Sequence, residues 1–90
     1  MDINISIEEI KKMPPEEAIR KLDEFIQKNE ATDDIFLIRG QKFWALNKKK
    51  DAINDYMKAL VINPDNQDAK MLLELTNSIL DFYNKDLLNP

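Results

Sequence analysis

The only glycine in this 90-residue chain, Gly40, is followed by Ala52, Tyr56, Ala59 and Pro64 at successive steps of 12, 4, 3 and 5. That spacing describes two helices folded back on each other. Gly40 and Ala52 lack bulk, so the pair can cross at close range. Phe43 and Tyr56 supply rings for the space the crossing leaves. Ala59 admits a further helix, and Pro64 ends the unit because proline cannot continue one.

Composition agrees with a helical reading. One Gly and four Pro leave little room for the tight turns of an all-β domain, while Lys, Glu, Leu, Ile and Ala are frequent and favour helix. Ninety residues make one small domain, which buries about 60–65% of the surface its unfolded chain exposes. With 43% hydrophobic and 33% charged residues the chain reads as globular rather than disordered, and no unbroken apolar run suits a membrane.

Five helical segments follow from the periodicity. Ser6 and Glu9 have the form of a capping box ahead of Ile7 and Ile10, and Met13-Pro14-Pro15 closes this first, short helix. Pro15, Glu16 and Glu17 open the second, whose stripe of Ala18, Ile19, Leu22, Phe25 and Ile26 runs to about Lys28. Thr32 or Asp33 caps the third, which carries Phe36, Gly40 and Phe43 on one face and Leu37, Trp44 and Ala45 beside or opposite it. Asn47-Lys48-Lys49-Lys50 turns the chain. The fourth helix presents Ala52, Ile53, Tyr56, Ala59, Leu60 and Ile62 on one side, and Asn63-Pro64 stops it. The fifth, from about Gln67 to Tyr83, is apolar almost all round, with Ala69, Met71, Leu72, Leu73, Leu75, Ile79, Leu80 and Phe82.

Sliding the chain against itself until Ala18 falls on Ala52 also superposes Ile19 on Ile53, Leu22 on Tyr56, Ile26 on Leu60 and Asn29 on Asn63. A helix-turn-helix unit that recurs at this interval, about 34 residues, resembles the tetratricopeptide repeat. The resemblance is fullest over residues 33–66, where Phe36, Gly40, Phe43, Ala52, Tyr56, Ala59 and Pro64 take the family's structural positions. Residues 5–30 resemble a partial first repeat, with Ser6 at the glycine place and Phe25 at a small-residue place. Residues 67–84 resemble a terminal capping helix, with Glu74 at the glycine place, and 85–90 form a tail. The resemblance implies an all-α, right-handed stack of antiparallel helical hairpins in a single domain, 1–90.

Nothing in the chain offers catalytic chemistry. Without Cys or His it lacks a thiolate nucleophile, the commonest general base and the commonest metal ligand. Glu8-Glu9, Glu16-Glu17 and Asp33-Asp34 each open a helix, where sequence neighbours point apart and serve dipole and cap. Asp51, Asp55 and Asp81 show no metal-loop spacing, and Lys48-Lys49-Lys50 reads as a solvated turn. The expectation is no enzyme, no cofactor and no metal. The net charge of −4 argues against nucleic acid. Met1-Asp2-Ile3-Asn4 lacks the basic and apolar regions of a signal peptide, so a cytoplasmic setting is expected.

Trp44 lies one position past Phe43, about 100° around the helix, and should turn toward the inner surface of the stack. In tetratricopeptide proteins that concave surface is the usual peptide-binding site, and the resemblance places it here at Leu37, Gln41, Trp44, Ala45, Met71 and Leu75. Some family members grip a peptide's terminal carboxylate there with basic and amide side chains. At those places this chain has Asp34, Leu37, Ile38, Gln41, Asp68, Met71 and Leu72, so the clamp is absent. The expected function is a protein-protein interaction module or scaffold that binds a peptide or protein segment in an apolar groove. The alternative is self-association as a homodimer through the apolar fifth helix.

Overall fold

A computed structural model describes residues 7–29 and 31–76. Among them the chain is all helical: α1 (Ile7–Lys12), α2 (Pro15–Lys28), α3 (Asp33–Ala45), α4 (Lys49–Ile62) and α5, helical over residues 67–76, with no strand. Ser6, Ile79, Leu80, Asp81, Phe82, Tyr83 and the tail at 85–90 lie outside the described residues.

Several boundaries have a chemical cause. Pro15 occupies the first turn of α2, where its missing N–H leaves no bond unmade, and Glu16 and Glu17 follow it. Of the two candidate caps for α3, Thr32 is the one used: its hydroxyl accepts from the Ile35 N–H. Asn66 repeats this at the start of α5, its side-chain oxygen accepting from the Ala69 N–H at 2.9 Å. The two caps are separated by the same interval that carries Ala18 onto Ala52. So are the extended residues Asn29 and Asn63 that end α2 and α4, whose N–H groups donate to Phe25 and Ala59.

The α3–α4 turn is tighter than the sequence suggested, since Lys49 and Lys50 already belong to α4. Asn47 adopts a left-handed backbone (φ 64°), which reverses the chain sharply. The Lys48 N–H then reaches the Phe43 carbonyl and the Asn47 N–H the Trp44 carbonyl, both at 2.9 Å. This is the six-to-one and five-to-two pattern of a Schellman ending.

The core has two parts. Ile10, Ala18, Leu22, Ile35 and Ile38 form one, with Phe25 and Ile26 packed against it. Leu37, Ala52, Tyr56, Ala59 and Ala69 form the other, flanked by Phe36, Phe43, Trp44, Leu60, Leu72 and Leu73. Helix α3 contributes to both because Ile35 and Ile38 look toward α2 while Gly40 meets α4. A Cβ built on Gly40 would lie 2.6 and 2.8 Å from Tyr56 ring carbons and 3.2 Å from the Ala52 carbonyl oxygen, so α3 and α4 touch there with no space for a side chain.

One expectation about burial changes. Ile62, the last residue of α4, is half exposed rather than turned inward with Ala59. Met71 and Leu75 are exposed, and Ala69 and Thr76 are the buried residues of the described part of α5. Asp55 is almost fully buried.

Candidate functional site

A cleft of about 150 Å³ opens between α1, α3 and the start of α5. Ile7 and Lys11 come from α1, Asp34, Leu37, Ile38 and Gln41 from α3, and Asp68 from α5. The helical repeat of α3 produces this wall: positions 34, 37, 38 and 41 recur at three and four, so one face of the helix lines the cleft. Asp34 and Asp68 hold the same place in the first turn of their helices, one repeat apart. Both are exposed, and neither side chain has a hydrogen-bond or ion-pair partner among the described residues. Lys11 lies 3.9 Å from Glu8.

Of the six groove residues the sequence pointed to, the cleft brings together Leu37 and Gln41. Leu37 is buried and belongs to the second core cluster, whereas Gln41 is exposed. Trp44 is half-buried against that same cluster, and the Lys49 ammonium sits 5.4 Å from its ring centre. Ala45, Met71 and Leu75 are exposed, and they do not line the cleft. Five of the positions compared with the family's carboxylate clamp, Asp34, Leu37, Ile38, Gln41 and Asp68, do line it.

Phe36, Gly40, Phe43, Ala52, Tyr56 and Ala59 all lie at the α3–α4 contact, and Pro64 sits in the β-turn closed by the Asn66 N–H on the Asn63 carbonyl at 3.0 Å. Asp33 ties the start of α3 to that turn: its Oδ2 accepts from the side-chain amides of Asn63 and Asn66, each at 2.9 Å. Those two bonds, Asn63 first, hold the Asp33 carboxyl below its usual range.

The sequence reading passed over Arg39. Its Nε and Nη2 donate to the two carboxylate oxygens of Asp55 at 2.8 and 2.9 Å, and Nη1 donates to Asp23 at 2.8 Å. The guanidinium lies 5.5 Å from the ring centres of both Phe36 and Phe43. One side chain of α3 thus bridges α2 and α4. A signal was present: Asp23 and Asp55 stand equally far along the chain on either side of Arg39, and the rings flank it at three and four. The bond to Asp55 leads in keeping the guanidinium charged, and burial, then the Asp55 charge, pushes the Tyr56 phenol above its ordinary value.

Among the described residues no group of three or more acidic side chains is placed to hold a metal ion, and no helix is long and apolar enough to cross a membrane. Comparison with family models, with curated proteins and with solved structures found no match.

Proposed function

We propose that this chain is a helical-repeat interaction module of the tetratricopeptide kind, which binds an extended peptide segment along the side of α3 and α5. The observation that carries the reading is the cleft walled by α1, α3 and α5, with the exposed side chains Met71 and Leu75 further along α5. Internal repetition supports it: Thr32 and Asn66 cap alike, and Ala18 and Ala52, like Leu22 and Tyr56, are buried alike. Binding there needs no activated group, in keeping with a non-catalytic role, and a peptide would bury apolar side chains against Met71, Leu75 and the exposed edge of Trp44.

A paired substitution tests the surface. Met71→Lys with Leu75→Lys should abolish retention of peptides selected against the chain from a random displayed library. Met57→Lys with Val61→Lys, on the exposed face of α4, should leave retention unchanged. Equal loss in both variants, or none in the first, rejects α3 and α5 as the binding side. The exposure of Met71 and Leu75 also favours a second reading, pairing of two chains through α5. Sedimentation across a dilution series separates the two, since self-association makes the apparent mass fall on dilution.

A further inference from the structure

We infer that the cleft between α1, α3 and α5 receives one cationic side chain, lysine or arginine, of the bound peptide. The inference rests on the peptide-binding reading and names the partner's chemistry. A space of about 150 Å³ suits one side chain rather than a length of backbone, since an apolar cavity of that order holds a benzene-sized molecule. Ile7, Leu37 and Ile38 give it an apolar wall for an aliphatic stem. Asp34 and Asp68, both exposed, line it from α3 and α5, with no side-chain partner among the described residues. Long cationic side chains have that division, an apolar stem and a charged head kept in water.

Charge decides the sign of the partner. The cleft carries two carboxylates against one ammonium, Lys11, which lies 3.9 Å from Glu8, and the whole chain is at −4. An acidic peptide would meet Asp34 and Asp68 and be repelled. A peptide that is only apolar would leave both carboxylates facing it unpaired. Gln41 offers the peptide backbone a donor and an acceptor without adding charge.

The test is selection of random hexapeptides displayed on phage against the full chain, repeated with the Asp34→Asn, Asp68→Asn double variant. The expected result is enrichment of Lys or Arg in the recovered peptides, lost in the double variant. A synthetic copy of the best peptide should bind the double variant on the order of fivefold more weakly or worse, because exposed pairs are individually modest. Its affinity should also fall between low and high salt, and Lys11→Gln should strengthen it. Those last two measurements decide the matter if the double variant does not fold. Peptides recovered without Lys or Arg overturn the inference and leave the interaction reading standing. Recovery of no peptide overturns both.

Discussion

A methyl group added at Gly40 meets the ring of Tyr56, which is almost fully buried and has nowhere to swing. Alanine is the better helix former by about 0.5–1 kcal/mol, but overpacking costs about 1–3 kcal/mol, so Gly40→Ala should destabilise. Urea titration checks this, and adding Tyr56→Leu should make the glycine substitution nearly harmless. Arg39 is a second case in which one side chain decides much. Arg39→Ala leaves Asp55 buried without its partner and should cost about 3–5 kcal/mol, whereas the Arg39→Met, Asp55→Leu pair should lie much closer to the parent. If the single and the pair lose the same stability, the bridge is not what holds α3 to α4.

The ends of α3 rest on side chains that titrate or can be replaced. Asn47→Gly keeps the left-handed turn after α3 and should be nearly neutral, while Asn47→Ala should cost about 1 kcal/mol in thermal or urea unfolding. The Asp33 contact between α3 and the α4–α5 turn gives a pH dependence of known sign. Its folded pKa is lowered, so the stability it adds is present above the unfolded value of about 3.9 and is lost as pH falls through the folded value. Tyr56 acts at the other end of the scale. Its folded pKa is raised, so its contribution holds below about 10 and disappears as pH rises beyond that. Asp33→Asn should flatten the acid limb of a stability-against-pH curve and leave the alkaline limb in place.

For the molecule as a whole, two core clusters joined through α3 imply unequal protection. Helix α3 packs most extensively with α4, less with α2, and α1 touches α2 only lightly. The most extensive contacts run between successive helices, as in stacked repeats, where stability is close to a sum of local terms. Leu22→Ala should cost about 2–5 kcal/mol at its own cluster and raise amide exchange in α1 and α2 well before α4. Exchange rising equally in α4 would mean that the two clusters unfold as one unit.

The sequence by itself determined the helices and their order, because apolar positions at three and four, prolines after Met13 and Asn63, and capping residues are local signals. It also pointed to Gly40 as a contact with another helix, since a mid-helix glycine costs stability and the small residue Ala52 stands across from it. The groove was legible only in part. Leu37 and Gln41 follow from helical periodicity, while the cleft they share also needs Ile7 and Lys11 from α1, two helices back along the chain. Tertiary structure alone decided that Asp55 is buried and Asp34 exposed. Both are acids on helices, and the difference is the guanidinium of Arg39, which meets Asp55 and Asp23 only once α2, α3 and α4 have packed.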